Sequence, residues 1–145
     1  MPSRATAYPA SLHAPAAAVD LSDRAVRERL SGPGLKAFFN VMARWRVRDR
    51  DARGLLGGVT NGPYYAMKRE PDRLLDTDRL TRVSLVVGIF KALHVLYSEG
   101  LADQWVHLPN SNRIFGGSTP LEFMVRGGLP AMQTVRRLLD ARRAG

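Results

Sequence analysis

The sequence has 145 residues, no cysteine, and 22 lysine and arginine side chains against 13 aspartates and glutamates, for a net charge of +9. This length predicts one domain or two very small ones, and the lack of cysteine excludes disulfides and thiolate metal sites. No apolar run is long enough for a bilayer and the N-terminal residues do not match a secretory signal, so we expect a cytoplasmic protein. The excess of arginine favours a nucleic-acid or carboxylate-bearing partner, and a solvated basic surface is the alternative.

The N-terminal third predicts a tail followed by two helices. Residues 1–20 hold three prolines among small residues, which predicts a flexible tail. A short helix is predicted from Ser22 to Leu30, and the Ser-Gly-Pro-Gly sequence at 31–34 is expected to end it. The next helix is amphipathic, and we interpret its apolar face as core. That face carries Leu35, Phe38, Phe39, Met42 and Trp45.

Residues 51–68 predict a helix-turn-helix. Gly54 is the small residue of the first helix, Gly58 allows the sharp turn, and Val59 is its apolar plug. In such a motif the start of the second helix faces the DNA major groove, and basic side chains flank this one on both sides. The alternative is an ordinary helical hairpin. The candidate DNA-binding residues are Thr60, Asn61, Tyr65, Lys68 and Arg69.

A long linking helix is predicted over residues 77–98. It is apolar on nearly all sides from Val83 onward, which predicts burial on every face. We interpret His94 inside it as a core histidine whose hydrogen bonds are satisfied. The predicted organisation is therefore a tail (1–20), a helix-turn-helix subdomain (21–75) and a second subdomain (76–145).

The last third predicts short elements and two helices. A short helix is predicted from Leu101 to Val106, and residues 113–115 suggest one strand of a small β element. Thr119 to Glu122 form a capping box at the start of a helix that stops at the Gly-Gly pair at 127–128. A last helix is predicted from about Pro130 to Arg143. The fold class is mainly α, with that one β element.

The sequence offers little catalytic chemistry. It has no Gly-x-Ser-x-Gly elbow and no phosphate-binding loop with its lysine. His13, His94 and His107 are scattered without metal-ligand spacing. We therefore predict a binding or regulatory protein rather than an enzyme, with no catalytic residue, metal or cofactor.

Several of these segments together resemble the Xre/MbcA/ParS-type antitoxins, over roughly residues 35–143. Members of this family pair with a toxin that carries a RES domain and consumes NAD or transfers ADP-ribose from it. The resemblance rests on the helix-turn-helix, on the run Arg82-Val83-Ser84-Leu85-Val86-Val87-Gly88-Ile89-Phe90-Lys91-Ala92-Leu93, and on Trp105, Pro109-Asn110, Phe115-Gly116-Gly117 and Thr119-Pro120-Leu121-Glu122-Phe123-Met124.

The resemblance implies that this chain inhibits a RES-type toxin by occluding its active site and, as in many members, represses its own operon. In the family, the C-terminal end of the antitoxin lies at the toxin cleft. The implied toxin-binding residues are Asn110, Arg113, Arg136, Arg142, Arg143 and Gly145.

Symmetric operators and a surplus of apolar residues predict a homodimer. The alternative is that these residues, among them Phe38, Phe39, Val87 and Phe90, fill the core of a monomer. The alternative to the antitoxin is a plain helix-turn-helix transcriptional regulator whose second half serves dimerisation or ligand sensing. An adjacent reading frame for a RES-type toxin discriminates between the two.

Overall fold

A computed structural model describes residues 19–145 of the chain. Most of this part is helical, which confirms the mainly α prediction, and the predicted tail lies outside it except for its last two residues. The α-helices are α1 (Arg24–Trp45), α2 (Asp49–Leu55), α3 (Asn61–Arg69), α4 (Thr77–Leu96), α5 (Glu99–Gln104) and α6 (Pro120–Ala144). Two 3-10 turns, Trp105–His107 and Arg113–Phe115, lie between α5 and α6.

The core forms around α4, which packs against both α1 and α6. One continuous apolar cluster runs through both halves of the chain, with Phe38 and Trp45 from α1 and Met132 and Leu139 from α6 among its members. The expectation that α4 is buried on every face is wrong, because Val95 is 66% exposed. Its buried face consists of Leu80, Val83, Val86, Ile89, Ala92 and Leu93.

The predicted break at residues 31–34 is also wrong, because α1 continues through Pro33 as a single helix. Tertiary packing explains the difference. A Cβ on Gly34 would lie 3.3 Å from Val83 Cγ1, so the glycine lets α1 approach α4 closely. The buried Ser31 hydroxyl accepts a hydrogen bond of 3.0 Å from the Leu75 amide. Pro33 is exposed, so its ring points away from these contacts.

The small β element predicted near residues 113–115 is wrong, since this segment forms a 3-10 turn. Asn112 caps the turn by accepting a hydrogen bond of 3.1 Å from the Ile114 amide. Gly116 then reverses the chain with φ 57, a conformation that favours glycine. The Asn112 side chain thus satisfies a backbone amide that would otherwise need a partner on a neighbouring strand. Residues 19–145 contain no strand.

Two features predicted for α6 are confirmed, the capping box at its start and the break at the Gly-Gly pair. Thr119 and Glu122 form a reciprocal capping box, with hydrogen bonds of 3.2 and 2.9 Å to each other's amides. The helix is kinked where the Gly-Gly pair predicted a stop, because Gly128 has φ 67 and ψ −148. Of the helices described here, none is both long and apolar enough to cross a membrane.

Candidate functional site

The α2–turn–α3 segment has the tight connection that its glycines predict. Gly57 and Gly58 have φ 96 and 86, so both adopt a backbone that disfavours other residues. The Gly58 amide donates to the Arg53 carbonyl over 2.8 Å and closes the end of α2. Val59 is buried as the predicted plug, and Tyr64 and Met67 anchor α3 in the core.

The five candidate DNA-binding residues all lie on α3 or at its N-cap, and all are exposed. Thr60 occupies the N-cap position without a side-chain capping bond, which leaves its hydroxyl free for other partners. Lys68 and Arg69 lie in the last turn of α3. No carboxylate within residues 19–145 pairs with Arg69, whereas Lys68 has a partner.

That partner is Asp49, the first residue of α2, which the sequence analysis missed. Its carboxylate accepts hydrogen bonds from the Tyr64 hydroxyl (2.6 Å), the Tyr65 hydroxyl (3.1 Å) and Lys68 Nζ (3.3 Å). The bond from Tyr64 does most to lower the pKa of Asp49, with Lys68 and Tyr65 adding to it. Burial, followed by the bond to Asp49, raises the pKa of Tyr64. Asp49 thus fixes α3 on α2 and also holds two candidate DNA-binding side chains.

The predicted toxin-binding residues fall into three places rather than one. Arg142, Arg143 and Gly145 are exposed at the end of α6, where Arg142 Nη1 donates to the Tyr97 hydroxyl over 2.9 Å. Arg136 lies across α4, since a Cβ on Gly88 would collide with its Nη1.

Asn110 and Arg113 belong to the irregular segment between α5 and α6. Asn110 Oδ1 accepts from the Asn112 amide over 2.9 Å and so fixes a turn. Arg113 is exposed, and no carboxylate of the described part pairs with it.

A cluster of charged side chains ties α1 to α4 and α5. Arg44 Nη2 lies 2.9 Å from both Glu99 Oε1 and Asp103 Oδ2, and its guanidinium stands over the Phe90 ring. His94 Nε2 lies 3.2 Å from Asp103 Oδ1, while its Nδ1 bonds the Phe90 carbonyl. The prediction of a histidine with all its hydrogen bonds satisfied is therefore wrong for one nitrogen, because the buried Nε2 and Asp103 Oδ1 lie close together without forming a hydrogen bond.

The clefts on the described surface beside α1 and α3 are open to solvent. Two open clefts of about 330 and 340 Å³ flank Leu74, between α1, α3 and the start of α4. Among residues 19–145, no group of three or more His, Asp or Glu side chains is placed to hold a metal ion. The exposed surfaces described above are the better candidates for function.

Comparison with known proteins places the second half in a family. Residues 91–145 match the model of the antitoxin Xre/MbcA/ParS C-terminal toxin-binding domain. The chain is also 35% identical over 112 residues to the uncharacterized protein y4oB of Sinorhizobium fredii, covering 77% of this chain and 84% of that protein. No solved structure matches the chain. The match defines the second half of this helical chain as a toxin-binding domain, and that domain belongs to the family of Xre/MbcA/ParS antitoxins.

Proposed function

We propose that this chain binds a RES-type, NAD-consuming or ADP-ribosylating toxin and blocks its active site with the C-terminal end of α6. The observation that carries the proposal is the family match over residues 91–145, which implies a toxin partner. The exposed Arg142 and Arg143 support it, because two guanidinium groups suit acidic residues at the rim of a toxin cleft. Inhibition is then steric and electrostatic, and the chain itself performs no catalysis.

Deletion of residues 141–145 tests this mechanism. The deletion is expected to abolish inhibition of the cognate toxin while thermal unfolding stays cooperative. An Arg142→Ala, Arg143→Ala double variant is expected to weaken inhibition with the chain length unchanged. Arg24→Ala with Arg29→Ala removes the same charge from an exposed part of α1 and serves as the matched control. Full inhibition by the truncated chain would show that blocking occurs elsewhere on the surface.

The same chain is proposed to repress its own operon through α3. Thr60, Asn61 and Tyr65 would lie nearest the bases, with Lys68 and Arg69 on phosphates. Lys68 and Arg69 would contribute differently to phosphate binding. Arg69 can bind a phosphate directly, whereas Lys68 must first leave the Asp49 carboxylate with which it is paired. A homodimer would let two copies of α3 read a symmetric operator.

A mobility-shift titration on the promoter of the operon tests the DNA-binding part. Lys68→Ala with Arg69→Ala is expected to weaken binding across sequences and to flatten the salt dependence by about one to two units of slope. Lys36→Ala with Arg29→Ala is the matched control, because Lys36 is likewise paired with a carboxylate, Asp72. Equal binding by the α3 variant and the control would exclude α3 as the reader. Light scattering that shows a monomer at micromolar concentration would exclude the dimer.

A further inference from the structure

Asp49 makes one more hydrogen bond to a tyrosine than is needed to join α2 to α3. Its Oδ1 accepts a bond of 2.6 Å from the hydroxyl of Tyr64, whose side chain is buried in the core, and this bond holds the two helices together. Its Oδ2 accepts a second bond, of 3.1 Å, from the Tyr65 hydroxyl. Tyr65 is 40% exposed, so water is an alternative partner for that hydroxyl and the bond adds little stability. What the second bond does is fix the position of an exposed side chain.

The Tyr65 side chain is held both at its ring and at its hydroxyl. The ring packs edge to face on the Tyr64 ring, with centroids 5.1 Å apart, and the hydroxyl is bonded to Asp49. Tyr65 lies on the exposed surface of α3, and the exposed side chains of a recognition helix are the ones that meet base edges. A side chain that is ordered before a partner arrives loses little conformational entropy on binding, which favours a specific contact.

The charge of Asp49 decides which hydrogen bonds Tyr65 can still make. The pKa of the Asp49 carboxyl is lowered, by the bond from Tyr64 first and then by Lys68 and Tyr65, so Asp49 is ionised at neutral pH. An ionised carboxylate only accepts hydrogen bonds, and the Tyr65 hydroxyl therefore donates its one proton to it. The oxygen of that hydroxyl keeps its lone pairs. Towards any further partner, Tyr65 is an acceptor only.

A hydroxyl that only accepts distinguishes between base edges in the major groove. Adenine N6 and cytosine N4 are amino groups that donate hydrogen bonds, whereas guanine presents the acceptors N7 and O6, and thymine presents the acceptor O4 and a methyl group. The Tyr65 oxygen would accept a bond from adenine or cytosine, but would face another acceptor on guanine or thymine and leave both unpaired. A tyrosine hydroxyl without the Asp49 bond can donate or accept and would not make this distinction.

We propose that Asp49 is a positioning residue for base recognition, which orients the Tyr65 hydroxyl so that Tyr65 reads the amino group of an adenine or a cytosine. This inference rests on the proposed DNA binding by α3. It adds a residue of α2 to the DNA-reading surface and names the base chemistry that Tyr65 recognises. Asp49 acts through Tyr65 and does not itself contact the base.

The test is a mobility-shift titration on the promoter of the operon that encodes this chain, and on duplexes in which each base pair of the bound site is replaced in turn. At one position of each half-site, the unaltered chain is expected to prefer adenine or cytosine over guanine or thymine by about 10-fold. Asp49→Asn and Tyr65→Phe are each expected to reduce this preference to less than about 2-fold at that same position. Asp51→Asn is the matched control and should keep the preference. It removes the same charge from the first turn of α2, where Asp51 lies 3.7 Å from Arg50.

A purely structural role of Asp49 gives a different result. Asp49→Asn would then weaken binding to every duplex by the same factor and keep the preference, which overturns the inference while the proposed DNA binding stands. If the unaltered chain binds none of the duplexes, the proposed DNA binding and the inference both fail. If it binds all of them equally, the DNA binding stands and the inference fails. If Asp49→Asn does not fold, Tyr65→Phe decides the matter, because a preference that survives the loss of the hydroxyl overturns the inference.

Discussion

Arg46 closes α1 in a conformation that suits glycine better than arginine. Its φ of 54 and ψ of 44 are left-handed, and its amide donates to the Ala43 carbonyl at 3.1 Å. The next amide, that of Val47, donates to the Met42 carbonyl at 3.0 Å, so the helix end forms a Schellman-type closure. A side chain at this position is strained against its own backbone.

Replacing Arg46 by glycine is therefore expected to raise the free energy of unfolding by about 0.5–1 kcal/mol. Glycine relieves the backbone strain, and the greater flexibility of the unfolded chain offsets part of that gain. Urea unfolding measures the change. Arg48→Gly is the control, because Arg48 has an extended backbone with φ −67 and loses the same charge without relief of strain. An equal gain from both variants would contradict the explanation.

The charge of Asp49 predicts how the stability of the folded chain depends on pH. Its three hydrogen bonds favour the charged carboxylate and lower its pKa in the folded chain, the bond from Tyr64 first among them. The stabilisation is fully present above the unfolded pKa of about 3.9 and is lost as pH falls through the lower folded value. Asp49→Asn should therefore lower the free energy of unfolding at pH 7 by about 1 kcal/mol.

The difference between the parent chain and Asp49→Asn should shrink as pH falls below about 4. Urea unfolding at several pH values measures it. Asp72→Asn, which alters an exposed carboxylate paired with Lys36, serves as the control for general charge effects. A difference that stays constant down to pH 2 would show that the Asp49 charge plays no part.

Among the elements, sequence prediction succeeded where the signal is local. The capping box at Thr119 and the break at Gly128 each depend on a few neighbouring residues, and both are present. Prediction failed where distant residues decide. Pro33 predicts the end of a helix, yet α1 continues through it because the helix is stabilised by packing on α4. The hydrogen bonds of Asp49 depend on how α2 and α3 cross, which no pattern along the chain reveals.

Because α1 tolerates Pro33 through packing alone, the proline should still weaken the helix. It lacks the amide that would bond the Arg29 carbonyl, and its ring crowds the same carbonyl. Pro33→Ala is expected to raise the free energy of unfolding by about 1–2 kcal/mol, since part of the gain is offset by a more flexible unfolded chain. Thermal and urea unfolding measure this. An unchanged or lower stability would mean that the proline stiffens α1 in a way the fold requires.

At the scale of the whole molecule, the toxin-binding domain shares its core with the first half of the chain. Trp45 of α1 packs on Phe90 with ring centroids 6.2 Å apart, and its carbonyl contacts His107 Nε2. Arg44 of α1 forms ion pairs with Glu99 and Asp103 of α5. The family match starts at residue 91, inside α4, so a fragment cut there would lose most of that helix.

A fragment of residues 91–145 is accordingly expected to show no cooperative thermal unfolding, because its apolar faces lose α1 and most of α4. Circular dichroism on heating compares it with the full chain, and a fragment of residues 77–145 that restores α4 is the intermediate control. A cooperative transition in the shortest fragment would show that the toxin-binding domain folds alone.

Occlusion of the toxin's active site is measured most directly by NAD consumption of the purified cognate toxin as this chain is titrated in. NAD consumption is expected to fall to the background rate at a fixed stoichiometric ratio, because each bound chain blocks one active site. The chain that lacks residues 141–145 is expected to cause no such fall. Undiminished NAD consumption in the presence of excess full-length chain would contradict the claim that this antitoxin works by occluding a NAD-consuming active site.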